Sequence, residues 1–76
     1  MEDKLKEIFL KVFPNDEFDL NKDRSQFENW DSLAHLQLTS DIESSFNIKF
    51  EMDDIVDIQK PKDLLDLIEK KKNDNN

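Results

Sequence analysis

The chain of 76 residues has no cysteine and no glycine, and histidine occurs once. Without cysteine there are no disulfides and no thiolate metal sites, and a single histidine makes an all-protein zinc site improbable. Without glycine, the turns must rely on Asn, Asp and Pro. Long apolar runs are missing too. The first segment, "MEDKLKEIFLKVF", is charged throughout, so neither a secretion signal nor a membrane span is expected, and a cytoplasmic location follows. Basic residues are also scarce, at 11 against 19 acidic ones, for a net charge of −8. Nucleic acid phosphates would be repelled by such a chain, and a basic partner suits it better.

What is present is enough for one domain with a thin core, since a chain this short buries only ~60% of its unfolded surface. Stability has to come from helix packing. The acidity is concentrated: residues 31–57 hold seven acids and one base, whereas residues 58–76 hold four acids and five bases. Leu5, Ile8, Phe9, Val12 and Phe13 recur at the spacing of one helix face, so residues 3–13 read as an amphipathic helix that Pro14 helps to stop. Residues 14–30 lack sustained periodicity and read as a long loop pinned by Phe18, Leu20, Phe27 and Trp30.

A second helix is expected from about Ser32 to Phe46, with Asp31 or Ser32 as its N-cap. Turned by ~100° per residue, Leu36, Leu38, Ile42 and Phe46 form a core-facing stripe. His35 falls within that stripe and reads as a satisfied ring packed beneath the loop. Leu33 falls outside it, among Gln37, Ser40 and Ser44, and is a candidate contact for another molecule. A short helix follows over residues 52–57, with Ile55, Val56 and Ile58 expected inward. Pro61 suits the first turn of a last helix, "PKDLLDLIEKKK", whose lysines lie in its final turn. No segment reads as a strand. The expected fold is all-α: a small four-helix bundle of three longer helices and one short one, with residues 1–72 as the domain and 73–76 as a disordered tail.

Three chemical readings compete for the middle of the chain. Glu17, Asp19, Asn21, Asp23, Ser25 and Glu28 imitate the ligand positions of a calcium loop, but Lys22 stands where a glycine is wanted and the exiting helix starts too late. An acidic, solvated loop is the better reading, and no metal site is assigned. Ser32, His35 and an aspartate contain the residue types of a hydrolase, yet one helix of a thin bundle cannot easily build a water-excluding pocket with an oxyanion site. No catalytic residue is assigned. Ser32 as a modification site fits best. A helix start exposes it, the backbone N–H groups and dipole there favour an attached phosphate by ~0.3 to 1 kcal/mol, and a separate enzyme can supply the base that the serine lacks.

The tripeptide Asp31-Ser32-Leu33, together with "LAHLQLTSDIESSFNIKF", "DDIVDI" and "PKDLLDLIEKK" at their spacing, resembles the acyl carrier proteins. That resemblance implies that Ser32 receives 4'-phosphopantetheine from coenzyme A through a holo-carrier synthase, a magnesium-dependent phosphopantetheinyl transferase. The arm's terminal thiol then carries an acyl group as a thioester. The resemblance further implies that acyl-loading and acyl-transfer enzymes with basic docking patches bind the second helix. Leu33 would be their anchor, Asp31, Asp41 and Glu43 charge contacts, and Asp53 and Asp54 the edge of the surface. A carrier of this kind is expected to be a non-catalytic monomer.

Two features depart from carriers of fatty-acid synthesis: residues 34–40, "AHLQLTS", contain no acid, and Trp30 stands where a small residue is common. Both resemble stand-alone, specialised carriers from dedicated biosynthetic clusters. For the interior, Leu36, Ile42, Phe46, Ile55 and Leu65 are the expected walls of a shallow cavity, made more polar by Thr39. The alternative is an acidic helical interaction module without a prosthetic group.

Overall fold

The computed structural model describes residues 1–74. Four α-helices follow one another, α1 over Glu2–Val12, α2 over Ser32–Phe46, α3 over Met52–Asp57 and α4 over Pro61–Asp74. A 3-10 turn at Arg24–Gln26 interrupts the long loop between α1 and α2. No strand occurs among the described residues. The helix α4 takes in Asn73 and Asp74, two residues into the expected tail; Asn75 and Asn76 lie outside the described residues.

The apolar spacing of α1 buries Leu5, Ile8 and Phe9, and Phe13 just beyond the helix joins them. Phe9 is the hub of an aromatic cluster. Its ring centroid lies 4.8 Å from Phe13, 5.4 Å from Phe18, 5.4 Å from Phe27 and 5.8 Å from Trp30. These tilted and edge-on pairs each add ~0.5 to 1.5 kcal/mol beyond the area that they bury. The loop is thus held down by its own aromatic residues. A second, aliphatic part of the core is formed by Leu38, Ile42, Ile58, Leu64 and Ile68, all fully buried.

Backbone hydrogen bonds fasten the loop to the junction of α3 and α4. Arg24 N–H donates to the Gln59 carbonyl at 2.6 Å and Lys62 N–H to the Leu20 carbonyl at 3.0 Å. The Arg24 guanidinium adds a bond to the Ile58 carbonyl at 3.2 Å. At the far end of α2, Asn47 adopts the left-handed conformation, with φ 55° and ψ 52°. Asn tolerates this region better than most residues, so it performs the helix-ending task that glycine usually takes. From there Glu43 accepts the Phe50 N–H at 2.8 Å, and Ile48 and Phe50 are buried in the connection to α3.

Two apolar residues expected inward face solvent. Leu36 is 56% exposed and Val56 is 61% exposed. The short α3 turns Ile55 onto the core and its C-cap Ile58 into it, and its six residues leave Val56 and the Leu36 side of α2 uncovered. The core-facing stripe of α2 is therefore His35, Leu38, Thr39, Ile42 and Phe46. The Thr39 hydroxyl is satisfied within its own helix, donating to the Leu36 carbonyl at 3.1 Å.

Candidate functional site

The start of α2 separates two tasks that the sequence left to either of two residues. Asp31 is the N-cap, in extended conformation, and its Oδ1 accepts the Ala34 N–H at 2.8 Å. Its carbonyl accepts the His35 N–H at 2.9 Å. Ser32 is the first helical residue and is exposed. A serine that caps has its oxygen committed to the backbone. Here Asp31 holds that position, and Ser32 lies exposed in the first turn of a 15-residue helix, where first-turn N–H groups and the positive end of the dipole favour an anion. Such a hydroxyl fits a group attached through a phosphodiester.

Leu33 is 78% exposed beside it. Burial of the next residues is set by what lies beneath them. His35 is 6% exposed, with Trp30 Nε1–H donating to its Nδ1 at 2.8 Å and its Nε2 lying 2.7 Å from the Ile55 carbonyl. An indole nitrogen only donates, so Nδ1 is the acceptor and the ring hydrogen is assigned to Nε2, where it meets the carbonyl. This ring therefore has both nitrogens engaged in structure. A hydrolytic base needs a free one, and among the described residues the ring's partners are Trp30 and the Ile55 carbonyl.

The acids around the site differ in how much of their charge is free to meet a partner. Asp53 is exposed in the first turn of α3. Asp41 accepts a hydrogen bond from Gln37 Nε2 at 3.1 Å across one turn of α2, and Glu43 is held by Phe50 N–H. Asp54 accepts the Glu51 N–H at 2.8 Å and pairs with Lys71 Nζ of α4 at 2.9 Å. The hydrogen bond from Lys71, and then that from Glu51, hold its carboxyl below the usual carboxylate value. In the loop, Asp23 caps the 3-10 turn by accepting from Ser25 Oγ and Ser25 N–H, which lowers its carboxyl in the same way. Asp19 accepts from Asn21 N–H at 3.0 Å. Two of the would-be calcium ligands are thus turn-forming residues.

Sequence reasoning passed over the apolar surface contributed by Leu36, Val56 and Met52, the last 73% exposed. Its signal was the acid-free run "AHLQLTS", whose outward residues are Leu36, Gln37 and Ser40.

No helix among the described residues is long and apolar enough to cross a membrane. A search of curated protein sequences gave no match. The profile of the family described as "Phosphopantetheine attachment site" matches residues 3–68. Among solved structures, the holo acyl carrier protein from Geobacter metallireducens, determined in solution by NMR, is similar, with 31% identity and a TM-score of 0.83. That likeness covers 96% of this chain and 86% of the other. A helical bundle of four, an exposed serine at the start of its second helix and a family profile spanning nearly all of it converge: the chain belongs to the acyl carrier proteins, the family that bears covalently attached 4'-phosphopantetheine.

Proposed function

We propose that Ser32 is the attachment point and that the chain carries acyl groups for partner enzymes. The observation that carries this reading is the release of the Ser32 hydroxyl from capping by Asp31. In the transfer, Ser32 Oγ forms a new bond to phosphorus as a diphosphate P–O bond of coenzyme A breaks. Adenosine 3',5'-bisphosphate leaves, and the hydroxyl proton passes to a base of the phosphopantetheinyl transferase. When bound, the group supplies a thiol that holds an acyl chain as a thioester. The chain's own residues present the arm and recognise partners.

Recognition combines an apolar anchor with surrounding charge. Leu33 is the anchor in this reading, Asp31 and Asp53 are exposed acids, and Asp31, Asp41, Glu43 and Asp54 contribute charge from positions where they also serve the fold. Partners with basic patches around an apolar pocket complement this surface. The net charge of −8 disfavours self-association and suits a monomer in the cytoplasm. The outward part of "AHLQLTS" is neutral or apolar, which supports a dedicated biosynthetic partner over general fatty-acid synthesis.

Coexpression with a broad-specificity phosphopantetheinyl transferase tests the reading. The intact mass is expected to rise by one phosphopantetheine, and the rise is expected to vanish in Ser32→Ala. An unchanged mass in the presence of active transferase rules the reading out.

A further inference from the structure

The seam nearest Ser32 is closed by polar contacts. Trp30, two residues before the serine, donates to His35 Nδ1, and His35 Nε2 meets the Ile55 carbonyl in α3. That carbonyl is poorly served by its own helix. Its backbone partner is Ile58 N–H at a long 3.4 Å, while the Gln59 N–H that a longer helix would offer is taken by Asp63 Oδ2 at 2.8 Å. His35 supplies what the six-residue helix lacks. One buried imidazole thereby ties the end of the loop, the first turn of α2 and the middle of α3 together, with both of its nitrogens engaged.

Ile55 packs against a core that includes the fully buried Leu38, Ile42, Ile58, Leu64 and Ile68. An alkyl chain tethered at Ser32 would gain by entering such an interior. To enter between α2 and α3 it would have to separate His35 from Ile55, leaving the ring hydrogen of a buried histidine without a partner and the Ile55 carbonyl with only its long bond from Ile58 N–H. A buried donor orphaned in this way carries its desolvation penalty. On the other side of the seam the aromatic cluster around Phe9 and Trp30 fills the space beneath the loop.

We propose that His35 is a specificity-determining latch: bonded to Trp30 and Ile55, it holds the α2–α3 seam closed against a chain tethered at Ser32, so that the cargo is a short or polar acyl group kept at the surface. The proposal rests on the reading of Ser32 as the attachment point. Acyl groups of a few carbons, or those bearing hydroxyl or charged groups, lose nothing by staying in water. Long alkyl chains gain no shelter from this protein. His35 and Trp30 act here by position, without touching the reacting thioester.

The test loads the full chain with acetyl- or octanoyl-phosphopantetheine from the matching coenzyme A thioesters and compares the two forms of each variant by thermal unfolding. Comparing two cargoes within one variant cancels any general loss of stability. The wild-type acetyl and octanoyl forms are expected to melt within ~1 °C of each other, whereas octanoyl-loaded His35→Leu is expected to melt about 4 °C or more above its acetyl form. Trp30→Phe, which keeps the ring packing but removes the donor, is expected to move the same way by less, and it decides the matter if His35→Leu does not fold. A wild-type protein stabilised by octanoyl as strongly as the variants overturns the latch, and so do variants that gain nothing. Intact mass separates the two levels: a chain that takes no arm overturns the attachment reading and the latch with it, while a chain that loads but shelters octanoyl overturns the latch alone.

Discussion

Trp30 and His35 are joined by a 2.8 Å hydrogen bond from indole Nε1–H to imidazole Nδ1, with their ring centroids 6.0 Å apart. The bond spans the point where the long loop becomes α2, so it fixes the angle at which the helix leaves the loop. It is buried, and for that reason its removal is not compensated by water. Trp30→Phe is expected to lower stability by about 1 to 3 kcal/mol, the range for a buried acceptor left without its donor. Thermal unfolding of the two proteins measures this. An unchanged melting temperature would show that His35 finds another partner.

The division of tasks between Asp31 and Ser32 makes a contrast between adjacent residues. Asp31→Ala removes the cap bond to Ala34 and is expected to cost about 1 kcal/mol. Ser32→Ala is expected to fall within about ±0.5 kcal/mol of the wild type, as exposed substitutions do. Urea titrations of both variants give the comparison. Equal losses would mean that the serine shares the cap.

Leu33 is a surface residue, so Leu33→Ala is expected to leave helicity and melting temperature unchanged while slowing modification by the transferase. An anchor at the centre of an interface is worth about 2 kcal/mol or more, which corresponds to roughly a 30-fold slower reaction. Circular dichroism and the initial rate of mass gain are the two measurements. Unfolding of the variant would assign Leu33 to the core.

Asp54 gives the chain a pH dependence with a defined sign. Its carboxyl lies below the ordinary value of 3.8 in the folded protein, chiefly through Lys71. The unfolded chain therefore binds a proton at Asp54 at a higher pH than the folded chain does, and stability rises with pH across that interval. The contribution is complete above the ordinary value and is lost as the pH falls through 3.8 toward the depressed one. Acid titrations of unfolding free energy are expected to show a shallower loss in this window for Asp54→Asn. A parallel loss in both proteins would mean that the Lys71 pair contributes nothing to folding.

Most of the architecture was legible because periodicity reports helices well. The spacing of Leu5, Ile8 and Phe9 marked α1, Pro61 marked the start of α4, and the position of Leu33 off the stripe marked it as outward. Periodicity identifies the apolar side of a helix but not how much of that side its neighbours cover, and Leu36 and Val56 are the two residues left uncovered. The cap was ambiguous because aspartate and serine are both good caps, and the extended backbone at Asp31 with the bond from Ala34 N–H to its Oδ1 distinguishes them. The link from His35 to Ile55 was invisible for another reason: it joins residues 20 apart through a carbonyl, and any residue type could have supplied that oxygen.

The bonds from Arg24 to Gln59 and from Lys62 to Leu20 also bear on when this molecule becomes complete. They pair residues far apart in sequence, so the loop before Ser32, already pinned by its aromatic residues on α1, gains these two bonds only once the α3–α4 junction is in place. Contacts of such long sequence separation form late because the intervening segment must first be ordered. A nascent chain that displays Ser32 and Leu33 but not yet Lys62 therefore has the cap at Asp31 and the aromatic contacts of the loop without its clasp to the second half of the polypeptide.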